Sequence, residues 1–156
     1  MSALPLDGRV VIVTGGGGLL GREYGVALRD AGAHVVLTDL AGVVDSAATD
    51  TPAATAGSLT RLAADITREE DVAALVDAVL DRFGRVDGLV NNAAINPAFD
   101  RERARPHQHR FEDFPVDMWR AALDVNVTGM FLCARAVAPA MVSQRSGVII
   151  NVSSTY

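Results

Sequence analysis

A doubly wound α/β fold with a parallel sheet is predicted by three features of this chain. Apolar, β-branched runs alternate with helical patterns from end to end, a glycine-rich turn joins the first run to the first helix, and an acidic residue closes the second run. Such runs have no polar face and belong in a sheet covered on both sides.

Arg9–Thr14 is the first strand, and Gly15-Gly16-Gly17-Gly18-Leu19-Leu20-Gly21 is the turn that follows it. Leu20, Tyr24, Ala27, Leu28 and Ala31 then recur at helical spacing, so the first helix spans about 20–31, with Gly32 as its stop. Tyr24 lies inside that pattern and reads as a packing residue. Val35–Thr38 is a second, fully apolar strand. Segment 41–58 is rich in Ala, Thr, Gly and Ser and carries Asp45, Asp50 and Pro52, so it supports at most a short, weak helix and is expected to be mobile. Leu59–Ala64 is the third strand, ending at Asp65. Thr67-Arg68-Glu69-Glu70 has the form of a capping box, and Val72, Leu75, Val76, Val79, Leu80 and Phe83 continue it as an amphipathic helix that Gly84 ends. Val86–Val90 is the fourth strand and runs into Asn91-Asn92-Ala93-Ala94. The polar insertion holding Arg101, Arg103, Arg105, His107, His109 and Arg110 is a loop. A long helix extends from Val116 to about Ser143, apolar nearly all round its middle, which implies burial against the sheet on one side and against a partner subunit on the other. Pro139 is placed to bend it near its end. Gly147–Val152 is the fifth strand, arriving at Ser153-Ser154.

The 156 residues fit one domain, and 49% hydrophobic against 21% charged content excludes a disordered chain. A net charge of −5 argues against a nucleic-acid surface, because no positive field is present to displace counterions from phosphates. The N-terminus lacks a basic segment followed by a long apolar stretch, and no uninterrupted apolar run approaches the roughly 20 residues that span a bilayer, so a cytoplasmic protein with no membrane role is expected. Cys133, the lone cysteine, sits in an apolar helical pattern and reads as a core residue in a reducing compartment. His107 and His109 lie two apart in an unpatterned loop, and no metal site is assigned. The basic insertion reads as a solvated loop, with a lid over an anionic substrate as the other reading.

Glycines after a strand remove every Cβ, so backbone N–H groups and a helix N-terminus can approach a pyrophosphate; Gly15, Gly17, Gly18, Leu20 and Gly21 are the candidate residues. Asp39 follows at the end of the second strand, where it would accept hydrogen bonds from the adenosine ribose and repel a 2′-phosphate. Leu40 stands where a basic residue could have held such a phosphate, and the turn has no Arg or Lys, so NAD is favoured over NADP.

Taken together, Thr14-Gly15 through Gly21, Asp65-Ile66, Asn91-Asn92-Ala93-Ala94, Asn126-Val127-Thr128-Gly129 and Gly147 through Ser154 resemble the short-chain dehydrogenase/reductase family, over the whole chain. The resemblance implies a Rossmann-type sheet of strand order 3-2-1-4-5, truncated here after strand 5. It also implies that Asp65 and Ile66 flank the adenine, and that Asn91 and Ala93, with Asn92 and Ala94 beside them, line the cofactor groove. Ser154 would be the substrate-orienting catalytic serine, and Asn126 would support a proton relay through a water. Leu19 departs from the glycine most classical members carry. The spacing Thr14-Gly15-x-x-Gly18-x-x-Gly21 is nearer the extended, nucleotide-sugar branch, whereas Asn91-Asn92-Ala93-Ala94 looks classical. Within the classical branch, Gly18–Gly21, Asn96-Pro97, Phe111–Phe114 and Ser153–Tyr156 look most similar to dehydrogenases of bacterial nonulosonate-sugar pathways.

In the family, a tyrosine acidified by a lysine four residues on takes the proton from a secondary alcohol as hydride leaves carbon. This chain has no Tyr-x-x-x-Lys and no lysine at all; Tyr156 lies only two residues beyond Ser154, and no catalytic role is given to it. The reading is therefore the NAD-binding part of an enzyme that interconverts a secondary alcohol and a ketone, homo-oligomeric (dimer or tetramer) at full length and expected to be inactive as this chain alone. A non-catalytic NAD-binding module and a nucleotide-sugar epimerase or dehydratase stay open as alternatives. The fifth strand would be an apolar edge, prone to aggregation or in need of a partner.

Overall fold

The computed structural model describes residues 4–43, 57–96 and 110–153. The apolar runs form five strands: β1 (Val10–Thr14), β2 (His34–Asp39), β3 (Ser58–Ala63), β4 (Gly88–Asn91) and β5 (Val148–Asn151). They pair in parallel in the order β3-β2-β1-β4-β5. Helices α1 (Leu19–Asp30), α2 (Glu69–Phe83), α3 (Val116–Leu123) and α4 (Met130–Gln144), with a 3-10 turn at Phe111–Asp113 and a π-helical segment at Asp124–Gly129, complete the described elements. The order is the expected doubly wound one. It reverses direction between β1 and β4 and opens a crevice at the carboxyl ends of those strands.

Alternation along each strand divides the core in two. Val10, Ile12, Val36 and Leu89 face one side and pack with Val72, Val79, Leu132 and Val137 of α2 and α4. Val11, Val13, Val35, Leu37 and Leu59 face the other, where Tyr24 and Leu28 of α1 pack on them, so Tyr24 has the packing place expected of it. Cys133 is buried in the first cluster, and burial pushes its thiol up to about 11.

Four local expectations are corrected. The capping box does not form: α2 starts at Glu69 with Arg68 at its N-cap, because the Thr67 hydroxyl donates to Asp65 Oδ1 (2.7 Å) and Glu70 pairs with Arg68. Glu69, Glu70 and Asp71 still place negative charge in the first turn, where the helix dipole favours it. β4 starts at Gly88 rather than Val86, since the Val86 backbone is bracketed by the Gln144 amide, which accepts from Val86 N–H (3.1 Å) and donates to Val86 C=O (2.8 Å). The long helix is not uniformly α: residues Asp124–Gly129 between α3 and α4 form a π-helical segment, and α4 continues through Pro139 to Gln144. Finally, Val116–Gln144 is by length and composition apolar enough to cross a membrane, which uninterrupted runs alone did not indicate. Its face Leu132, Cys133, Val137 and Met141 is instead packed into the core, while Trp119, Val127, Phe131 and Val142 are exposed.

β5 is an edge strand, exposed at all four positions. Segment 44–56, most of the polar insertion (97–109, with His107 and His109) and Ser154 to Tyr156 lie outside the described residues, so the expectations placed on them concern positions beyond the description. At the amino ends of β1 and β4, Asp87 is buried beneath two guanidinium groups. It accepts hydrogen bonds from Arg9 Nη1 (2.8 Å), Arg85 Nη2 (2.6 Å), Arg85 Nε (2.7 Å) and Val10 N–H (3.0 Å).

Candidate functional site

The crevice at the carboxyl ends of the strands is a cavity of about 690 Å³. Its floor is built by the junction of β1 and β4. The Thr14 hydroxyl, at the last residue of β1, accepts from the N–H groups of Asn92 and Ala93 (both 3.0 Å), and the Asn92 amide donates back to the Thr14 carbonyl (3.0 Å). Asn92 thus holds the two strand ends at a fixed separation. Gly15 turns the chain there with φ +68°, and a Cβ at this position would stand 2.8 Å from Ala93 Cα, so no side chain can replace its hydrogen.

The turn delivers α1 to the cavity. Gly21 Cβ would lie 2.1 Å from the Gly15 carbonyl oxygen, which is why the helix can start hard against the turn. α1 has no side-chain cap, so the N–H groups at its first residues, Leu19 and Leu20, end at the cavity wall as donors for an anion. Both leucine side chains are exposed there. Gly17 N–H points the other way and donates to Asp39 Oδ2 (3.0 Å), while Asp39 Oδ1 accepts from Leu40 N–H (2.9 Å). Asp39 is held at the rim by these two bonds. Each carboxylate oxygen keeps acceptor capacity for a ligand hydroxyl.

Asp65 is oriented by Thr67, whose N–H (2.9 Å) and hydroxyl both bond its Oδ1, leaving Oδ2 without a hydrogen bond among the described residues. Ile66 is buried behind it. A Cβ at Gly129 would fall 2.8 Å from Ile66, so the end of the π-helical segment is pressed onto this loop. Within that segment Asn126 makes two bonds to one residue: it accepts from Ile95 N–H (2.9 Å) and donates to Ile95 C=O (3.0 Å). The side-chain amide is spent on holding the wall that follows β4.

Of the residues singled out in the sequence, Gly15, Gly18, Leu20, Asp39, Leu40, Asp65, Ile66, Asn92, Ala93 and Ala94 meet around the one cavity. Four do not reach it, among them Asn126, whose amide is bonded to Ile95 instead. Gly17 and Gly21 shape the turn from behind, and Asn91 is buried in the sheet, donating to Asn151 Oδ1 (2.9 Å) across the β4–β5 pair, because its place on the strand turns it toward α4. Ser154 lies outside the described residues. Sequence reasoning missed Leu19, Thr38, Ile95, Asp124 and Val125 as lining residues. Alternation along the second strand is a signal that could have found Thr38, and adjacency to Asn126 one that could have found Asp124 and Val125. No cation lines this cavity among the described residues, and three carboxylates do: Asp39, Asp65 and Asp124.

Comparison with known proteins follows the same outline. A sequence profile of the family described as short chain dehydrogenase matches residues 9–156. The 2,5-dichloro-2,5-cyclohexadiene-1,4-diol dehydrogenase of Sphingobium indicum is 39% identical over 150 residues, covering 96% of this chain and 55% of the relative. Among solved structures, NAD+-bound xylitol dehydrogenase superposes with a TM-score of 0.80 at 31% identity, over 96% of this chain and 54% of that one. A metagenomic short-chain oxidoreductase in complex with NADP gives 0.76 at 31% identity, over 96% and 63%. The chain therefore spans about half the length of the relatives it matches.

Proposed function

This chain belongs to the short chain dehydrogenase family, and on that premise we propose that it is the NAD-binding part of an oxidoreductase that interconverts a secondary alcohol and a ketone by hydride transfer. The observation that carries the reading is Asp39, fixed at the cavity rim by Gly17 and Leu40 N–H groups with no cation beside it among the lining residues. A carboxylate there suits a ribose diol. At a separation of about 5 Å and an effective dielectric near 20, each negative charge of a 2′-phosphate meets about 3 kcal/mol of repulsion, reduced by solvent at the rim to about 1–2 kcal/mol. That favours NAD over NADP by about tenfold or more.

When bound, the nicotinamide supplies or accepts the hydride. This chain's residues bind and orient. Leu19 and Leu20 N–H groups receive the diphosphate, Thr14 and Asn92 keep the crevice open at one width, and Asn126 holds the Ala93–Ile95 wall. We assign Ser154 the orienting of the substrate oxygen, and Asn126 the support of the proton relay through the position it gives that wall. Residues 1–156 contain no Tyr-x-x-x-Lys, so this chain alone is expected to bind without turnover. Diol and polyol substrates of the relatives' names support carbinol chemistry for the whole protein. The narrower likeness to nonulosonate-sugar dehydrogenases is not carried into this reading. A homo-oligomer is part of the proposal, on the exposed stripe Trp119, Val127, Phe131 and Val142, as is a cytoplasmic place, on the lone buried Cys133.

Fluorescence titration with NADH and NADPH tests the reading. NADH is expected to bind about tenfold tighter; equal binding removes the NAD assignment, and binding of neither removes the nucleotide site. NADH formation from NAD+ and a panel of secondary alcohols, by the polypeptide of the complete reading frame, tests the reaction.

A further inference from the structure

Among the described residues, two buried side-chain atoms have no hydrogen-bond partner: Oδ1 of Asn91 and Oγ1 of Thr38. Asn91 is anchored through its Nδ2, which donates to Asn151 and to the Met130 carbonyl, although its Oδ1 stays without a partner among the described residues. The Thr38 side chain makes no hydrogen bond among the described residues, although the residue is 0% exposed. A buried hydroxyl without a partner is rare and destabilising, and each one calls for a physical reason. Position at the sheet end is not that reason. Thr14, directly opposite in the β1–β2 register and equally buried, has its hydroxyl engaged by two backbone N–H groups.

What distinguishes Thr38 is that it lines the cavity. Strand alternation sends the Asp39 carboxylate toward the glycine turn and Thr38 to the opposite face, the one that carries Val36. On that face the cavity is walled by Ala64, Ile66, Ala93 and Val125, all members or neighbours of the same apolar cluster. These apolar walls, with Asp65, Thr67 and Asp124 also at the lining and the Thr38 hydroxyl able to donate or accept, fit the flat base of a nucleotide better than its ribose, which the other side of β2 serves.

We propose that the Thr38 hydroxyl is a base-contacting group of the nucleotide site, bonding an edge atom of the adenine and acquiring its partner only when nucleotide binds. The inference rests on the reading of the cavity as a dinucleotide site. It assigns Thr38 a role in affinity that its burial conceals, and it gives the group opposite effects in the free and bound states.

The test uses this chain with AMP and 2′-deoxy-AMP as probes, by calorimetric titration, together with thermal melts of the free protein. Thr38→Val keeps the shape and removes the hydroxyl. Free Thr38→Val is expected to melt no lower than the parent, whereas its AMP affinity falls about five- to tenfold, and its 2′-deoxy-AMP affinity falls by the same factor. Thr38→Ser is expected to bind AMP within about twofold of the parent. Unchanged AMP binding by Thr38→Val overturns the proposal. So does a lower melting temperature of the free variant, which marks a hydroxyl already partnered by protein or ordered water. A loss seen with AMP and absent with 2′-deoxy-AMP moves the contact to the ribose and overturns the base assignment. If the parent chain binds neither probe, the dinucleotide reading falls with it, an outcome distinct from equal binding by parent and variant.

Discussion

Asp87→Asn removes the charge from a carboxylate that is 7% exposed and bonded by Arg9, Arg85 and the Val10 N–H. Burial by itself raises this carboxyl, but the hydrogen bonds from Arg85, Val10 and Arg9 outweigh it and hold the group at about 2. The folded value lies below the unfolded one, so the stabilisation is complete above the unfolded value and is lost as pH falls through the folded one. The displacement is worth about 2 kcal/mol at pH 7, about 1 kcal/mol at pH 3 and a small fraction of that near pH 2. Asn can still accept from Val10 N–H, and the two guanidinium groups, 47% and 42% exposed, can turn to water, so no further buried charge is stranded. The variant should therefore be about 2 kcal/mol less stable at pH 7, a melting temperature lower by roughly 4–8 °C. The gap to the parent should close by about 1 kcal/mol at pH 3. Urea unfolding followed by circular dichroism at pH 7, 5 and 3 measures both numbers. A gap that stays constant with pH, or one below about 0.5 kcal/mol at pH 7, refutes the argument.

Asp39→Asn should weaken NADH several-fold and, by removing the repulsion of the 2′-phosphate, tighten NADPH by up to about tenfold, read by fluorescence titration. Gly21→Ala forces a Cβ to within 2.1 Å of the Gly15 carbonyl; it should lose about 1–3 kcal/mol of stability in urea melts, and nucleotide affinity with it. Asn126→Ala deletes both bonds to Ile95 and should lose about 1–2 kcal/mol, with hydrogen exchange rising at Ala93–Ile95; unchanged exchange there would discount its positioning role. Phe131→Glu with Val142→Glu charges the exposed stripe and should shift sedimentation toward the monomer if that face is the subunit contact.

Much of the candidate site was legible because the residues that build its cavity are set locally. The glycine turn, the acid at the end of β2 and the Asn-Asn-Ala-Ala run each need a particular residue type at a particular strand end, and strand ends can be read from apolar periodicity. The errors share one cause. Thr67 resembles a cap in sequence but its hydroxyl is taken by Asp65; Val86 resembles a strand residue but is claimed by Gln144, 58 positions away; Asn91 resembles a groove residue but is turned inward beside Asn151. In each, a side chain chose between partners that were equally plausible along the chain.

Strand identity and the glycine turn were determined by the sequence itself, because backbone hydrogen bonding and side-chain period are set over a few residues, whereas the strand order followed from the family resemblance. Only the tertiary structure decided that Asn126 sits in a π-helical segment bracketing Ile95, that Asp87 is buried under two arginines, and that Thr38 at the cavity wall keeps a hydroxyl without a partner among the described residues. Those facts depend on which distant groups arrive at the same point. Burial and partner choice are properties of the packed chain and have no local period to read.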